Sequence, residues 1–194
     1  MFFAILGKNR TLSAAELQLL HPTQLQISGD TAIFDTAHPK LFSQLAGTIK
    51  RGEIFQRSEL ETQLAGAKLI GCEHLADAKK RKKSLGAKRF KLCPRTHADR
   101  DLKKSGHELI RLGDDQRGLV SANQNIELFE KIEFEKPARD MKIGMMPAKL
   151  AGLMTNIARS FSQNPDFLLG DPFAGLGTIP LRASAQGLDS LAAD

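Results

Sequence analysis

The chain has 194 residues with 41% hydrophobic content and only two cysteines, Cys72 and Cys93, so it is neither a disordered tail nor a disulfide scaffold, and a reducing cytosol is the expected setting. Met1–Leu6 is apolar, but it is far too short to span a membrane and lacks the basic start of a signal peptide. The net charge is +6 and sharply segregated: twelve Lys or Arg fall between Lys79 and Lys104 against two acids, a local +10 that leaves the rest of the chain at −4.

In chain order, the first 57 residues read as a strand (Phe2–Leu6), a helix (Ala14–Leu20), a hairpin (Gln24–Phe34), a helix (Lys40–Leu45) and a strand (Thr48–Phe55). Ser13-x-x-Glu16 has the form of a capping box, and Leu12 and Leu17 match its hydrophobic staple. Ser28-Gly29-Asp30 supplies the hairpin turn. This order predicts a ferredoxin-like α+β domain over residues 1–57. Residues 58–125 alternate again: a helix from Ser58, a strand (Ala67–Gly71), a basic helix (His74–Lys83), a strand (Arg89–Cys93), a short helix (Asp99–Ser105), then strands Glu108–Leu112 and Gly118–Ser121. Their basic cluster is the electrostatic footprint of a phosphate-backbone binder, although a solvated charged helix reads the same way. With no Trp or Tyr, and Phe90 the one aromatic inside the cluster, base stacking is secondary to backbone contact. The five histidines share no ligand spacing, and no metal site is expected.

Asn125–Met145, with Lys136-Pro137 and Gly144, reads as a linker, placed over 126–145. A helix follows over Met146–Phe161, whose Met146, Leu150, Leu153, Met154, Ile157 and Phe161 recur at three- and four-residue steps as a core stripe. Phe167–Asp171 is a short apolar run ending in an acid, as a buried parallel strand would be. Gly175 and Gly177 then offer a turn with positive φ and no side chain between ligand and backbone. A helix from Thr178 to Ala185 admits Pro180 in its first turn, and Gly187 closes it. A second strand, Leu188–Ala193, ends at Asp194. A dinucleotide fingerprint would place a third glycine where Pro180 stands. The terminal acid suits a cationic ligand better than a pyrophosphate, and S-adenosylmethionine (SAM), with its ammonium and sulfonium, fits; Asp194 would hold its ribose hydroxyls.

Lys136-Pro-Ala-Arg-Asp-Met-Lys-Ile-Gly-Met-Met-Pro-Ala-Lys-Leu-Ala151, followed by Asp171-Pro-Phe-x-Gly-x-Gly-Thr178, closely resembles the THUMP-containing tRNA guanosine-N2-methyltransferases. Phe3-Ala-Ile-Leu-Gly7, Asn9, Leu12-Ser13, Glu16-Leu17 and Ala46-Gly-Thr-Ile-Lys50 resemble that family's amino-terminal half, so the likeness spans nearly the whole chain. Ala174 departs from it, standing where the family usually carries cysteine. The resemblance implies a THUMP RNA-binding domain over 58–125 that meets the acceptor end of tRNA. It also implies that residues 146–194 are the incomplete start, a strand-helix-strand unit, of an α/β Rossmann-like SAM-dependent methyltransferase domain. On this reading Asp171, Phe173, Gly175, Gly177, Thr178 and Asp194 face the cofactor. Lys79, Lys80, Arg81, Lys82, Lys83, Lys88 and Arg89 meet RNA phosphates. Arg139 and Lys149 are open to RNA or cofactor contact and equally to a surface role. The family's acidic-Pro-Pro-aromatic acceptor motif is not found, so no catalytic residue is assigned and the sequence is expected to be a truncated form. Two other readings stay open: a stand-alone RNA-binding protein without catalysis, and an amino-group methyltransferase acting on DNA.

Overall fold

The computed structural model describes residues 1–20, 24–35, 44–74, 89–95, 102, 106–136, 145–164 and 166–194. Ten strands and five helices fall within them: β1 (Phe2–Leu6), α1 (Arg10–Leu20), β2 (Gln26–Ser28), β3 (Thr31–Phe34), β4 (Thr48–Gln56), α2 (Leu60–Gln63), β5 (Leu69–Cys72), β6 (Arg89–Leu92), β7 (His107–Arg111), β8 (Gln116–Asn123), α3 (Ile126–Phe134), α4 (Ala148–Ser160), β9 (Leu169–Asp171), α5 (Thr178–Ser184) and β10 (Ser190–Ala192). The chain divides into two compact units, each discontinuous in sequence. The first holds β1–β8 and α2. The second holds α1, the turn before β4, α3–α5, β9 and β10.

The first unit is a mixed eight-stranded sheet in the order β2-β3-β1-β4-β8-β7-β5-β6. β5 runs parallel to β6 and β7, and every other pairing is antiparallel. β4 joins β1 on one side and β8 on the other, so strands from before and after residue 58 share one sheet. β1 can be central because Phe3, Ala4, Ile5 and Leu6 are all buried, as a strand covered on both faces requires. The Phe3 ring fits because its neighbours on β4 and β8 are Gly52 and Gly118: a Cβ at Gly118 would drive into that ring, and one at Gly52 would strike the Leu119 carbonyl first and then the ring. Phe3, Ile5 and Ile110 form one core with Ile54, Leu112 and Val120 against it; Leu60, Leu64, Ala67, Ile70 and Leu109 form another.

The second unit is built on helices. Ala46, Phe129, Ile132, Ala148 and Leu153 make its apolar core, with Leu12 and Leu128 packed on it. β9 and β10 pair in parallel, Ser190 opposite Leu169 and Ala192 opposite Asp171.

Three expectations are corrected. Helix α1 begins at Arg10, not at Ala14, because Asn9 supplies the cap: its Oδ1 accepts from Leu12 N at 3.2 Å. Ser13 and Glu16 therefore do not form a capping box; both are buried in the helix body, and Ser13 Oγ donates to Asn9 O at 2.8 Å. The stretch read as a linker opens with helix α3, capped by Asn125, whose Oδ1 accepts from Leu128 N at 3.2 Å. Phe129 and Ile132 give that helix its buried face. Helix α4 lies where the spacing put it, but its buried face is Ala148, Ala151, Gly152, Leu153, Thr155 and Asn156. Of the stripe read as core, Met154 and Phe161 are exposed. Small residues win here because close approach, not bulk, is what the neighbouring helices need: a Cβ on Gly152 would meet Ala46 and Arg182. The helix expected at Lys40–Leu45, the basic helix and the short helix at Asp99–Ser105 lie wholly or mostly outside the described residues.

Candidate functional site

The site sits at the carboxyl ends of β9 and β10, the end of a parallel sheet at which ligands bind. Asp171 closes β9, and its Oδ1 accepts from Phe173 N at 3.3 Å, which bends the chain away from the strand. Two glycines then take left-handed conformations, Gly175 at φ 48° and Gly177 at φ 72°. Side chains at either position would be strained. A Cβ built on either meets nothing within 4 Å, so their backbone faces open space, as a ligand-cradling turn needs. Gly177 caps α5 without any side-chain bond. At the other end of that helix Leu188 N donates to Ala183 O and Gly187 N to Ser184 O, a Schellman ending closed by Gly187 at φ 73°.

β10 is tied back to the turn: Ala193 N donates to Asp171 O at 3.0 Å and Ala174 N to Ala193 O at 2.9 Å. Asp171, Gly175, Gly177, Thr178 and Asp194 thereby share one end of the strand pair. Phe173 is 87% exposed there, and Asp194 is exposed beyond β10. An open backbone turn with an acid at each strand tip fits a ligand that offers cationic groups and hydroxyls, as SAM does.

Behind the turn lie polar residues that spacing did not reveal. Lys136 is buried, and its Nζ donates to Thr178 Oγ1 at 3.0 Å. Glu16 is fully buried and accepts from Ala46 N at 2.9 Å, Gly47 N at 2.8 Å and the Asn156 carboxamide. Burial pushes the Glu16 carboxyl above the ordinary carboxylate range, and these hydrogen bonds, with the Arg182 charge, pull part of the way back. Asn156 Oδ1 in turn accepts from Gln186 Nε2 at 2.9 Å, so the hub reaches the closing turn of α5. Arg182 lies on the Phe129 ring, 4.6 Å from its centroid, and burial lowers its affinity for a proton. Only the residue types were visible in the sequence; the partners of Glu16 are up to 140 residues away.

In the first unit, Arg89 opens β6 with its side chain exposed. Lys79, Lys80, Arg81, Lys82, Lys83 and Lys88 lie outside the described residues, as does Arg139. Arg95, counted in the basic run, is engaged internally: it pairs with Glu73 at 2.6 Å and Asp30 at 3.0 Å, and it donates to Thr31 Oγ1 and Arg111 O. Its charge is answered within the fold, and bonding to Glu73 makes it a still firmer cation. Lys149 lies near the Phe129 ring, 5.9 Å from its centroid. The fully buried Lys50 forms an ion pair with Glu108 and donates to Pro94 O at 2.8 Å and Cys93 Sγ at 3.5 Å. Burial, seconded by the Glu108 charge, pushes the Cys93 thiol up to about 12, which leaves it protonated and unsuited to nucleophilic work. Among the described residues no His, Cys, Asp or Glu cluster is arranged to hold a metal ion, and no helix is long and apolar enough to cross a membrane.

No protein-family model matches the chain, and no curated protein matches it. Among solved structures it is similar to a predicted N6-adenine-specific DNA methylase from Listeria monocytogenes str. 4b F2365, at 14% identity and a TM-score of 0.39. The alignment covers 96% of this chain and 55% of that one, so the chain spans about half the length of the structure it matches.

Proposed function

We propose that this chain is the RNA-reading half and the front of the SAM site of a tRNA methyltransferase, one that moves a methyl group from SAM to the exocyclic N2 of a guanosine. The observation that carries the cofactor part is the β9–α5 turn, where left-handed Gly175 and Gly177 open onto free space between the acids that end β9 and follow β10. Asp171 would answer the cationic groups of the ligand, Asp194 the ribose hydroxyls, and the bare backbone would let the ligand approach. When bound, SAM supplies an electrophilic methyl group. The guanine amine is a poor nucleophile, so alignment and proton acceptance carry the rate, and no residue of this chain is assigned to either task.

The strand order β4-β1-β3-β2 is that of a ferredoxin-like unit, which supports the reading of the amino-terminal region. The charge segregation and the exposed Arg89 support RNA contact through phosphates. Calorimetry with S-adenosylhomocysteine, the demethylated product of SAM, tests the cofactor half: saturable binding that Asp171→Ala weakens by about tenfold is expected, and binding that the substitution leaves unchanged rejects the reading. Gel shifts at matched salt test the other half. Transfer RNA should bind more tightly than duplex DNA of equal length, and equal affinity would reject the tRNA assignment.

A further inference from the structure

The residues that helix α5 buries are Thr178, Arg182 and Ala183, and only the last is apolar. Burial of so small a side chain is non-directional and leaves the slide and rotation of a seven-residue helix to other contacts. Hydrogen bonds are directional, and here they run in a chain. Just past the helix, Gln186 Nε2 donates to Asn156 Oδ1 at 2.9 Å. The same Asn156 carboxamide donates through Nδ2 to Glu16, and to Gln44 O at 2.9 Å. Glu16 also accepts from Ala46 N and Gly47 N, and Gly47 lies so close to α1 that a Cβ on it would stand 2.6 Å from Ser13 Oγ. All of these residues belong to the second unit, so the chain of bonds runs from α1 through α4 to the end of α5 inside one compact body. It narrows to a single link at Gln186. The Gln186 Oε1 is buried without a partner among the described residues, so the Nε2 donation is what joins this side chain to Asn156.

Resting on the cofactor reading above, we infer that Glu16, Asn156 and Gln186 form a positioning relay that sets where α5 lies, and with it the geometry that the Gly175–Gly177 turn offers a ligand. The three residues act through the helix, not on the ligand. Helix α1, which chain order puts between strands β1 and β2 of the other unit, is thereby part of the machinery that shapes the turn.

The test cuts the relay at its last link, in the full chain. Gln186→Met removes the donor, and Gln186→Lys supplies another. In ligand-free Gln186→Met, the amides of Gly177 and Leu181, bonded to Ala174 O and Gly177 O, should exchange with solvent about fivefold faster, while the Ile54 amide of the first unit, bonded to Met1 O, keeps its rate. Affinity for S-adenosylhomocysteine should fall by about three- to tenfold, the size of one hydrogen bond, and Gln186→Lys should recover most of it. Glu16→Gln should weaken binding by a similar factor. The double variant should lose less than the product of the two losses, because both cut one chain. Phe3→Ala, which disturbs the core of the other unit, should leave affinity within about twofold. Unchanged amide exchange in Gln186→Met overturns the inference whether or not a ligand binds. Losses that multiply in full, or a loss in Phe3→Ala as large as in Gln186→Met, overturn it too, the latter by marking a general effect of stability. If Asp171→Ala leaves binding unchanged, the cofactor reading falls; if Asp171→Ala weakens binding and Gln186→Met does not, this inference alone falls.

Discussion

In the eight-stranded sheet Phe3 is fully buried, whereas around β9 and β10 Leu168, Leu191 and Phe173 are 60%, 65% and 87% exposed. The first unit closes apolar cores within itself, and its longest strands, β4 and β8, have nine and eight residues. The second has a three-residue strand pair. Its order comes from helix packing and from polar latches, Glu16 to Asn156 to Gln186 and Lys136 to Thr178. The two regions thus separate two ways of fixing a backbone. The middle of the sheet is fixed mainly by area removed from water, although Lys50 and Glu108 are buried there too; the β9–β10 end, outside the apolar core of its own unit, leans on buried hydrogen bonds that are costly to leave unmade.

The strongest challenge to this contrast is Phe3→Ala. The Phe3 ring is fully buried over Gly118 and beside Gly52, so about 3–5 kcal/mol of stability should be lost in urea unfolding. A loss below about 1 kcal/mol would show that the space collapses around the smaller side chain. Next in size is Glu16→Gln. An amide has one acceptor oxygen where the carboxylate offers two, so a buried N–H is left unmet at a cost of about 1–3 kcal/mol at neutral pH.

The pH dependence of that difference sharpens the test. The folded carboxyl binds its proton more readily than the unfolded one, since burial raises its pKa. The unaltered protein should therefore gain stability relative to Glu16→Gln as pH falls from neutral toward the ordinary carboxylate range. The gain should be lost again as pH rises through the raised value. Denaturation of both proteins at several pH values reads the sign, and the opposite slope would mean that hydrogen bonding outweighs desolvation at Glu16. The smallest effect belongs to Phe173→Ser, expected within about 0.5 kcal/mol because so exposed a ring contributes little to folding. A large loss would mean that this ring is covered in solution.

Features encoded locally were legible. Strand β1, the Gly29-Asp30 hairpin turn, the β9-glycine-α5-β10 succession and the Gly187 helix ending all follow from alternation, φ preference and capping within a few residues. Errors arose where two local rules competed or where the partner was remote. Asn9 outcompeted Ser13 as a cap, which freed Glu16 to turn inward. Periodicity found helix α4 but could not say which face its neighbours would take, and small residues prevailed over the Leu and Met stripe. Lys50 with Glu108, and Lys136 with Thr178, join residues 58 and 42 positions apart, and no short-range pattern distinguishes such side chains from surface charges.

The placement of α1 has a consequence in time as well as space. The Asn156 that binds Glu16 is made 140 residues after it, roughly 7–28 s at ordinary rates of synthesis. Over that interval the amphipathic helix exists without the surface it packs on. A nascent chain must keep Leu17 and Glu16 from finding other company until α4 emerges. The second unit is thus closed only once α4 emerges, although one of its pieces is made 140 residues before, and its assembly depends on how long that piece can wait.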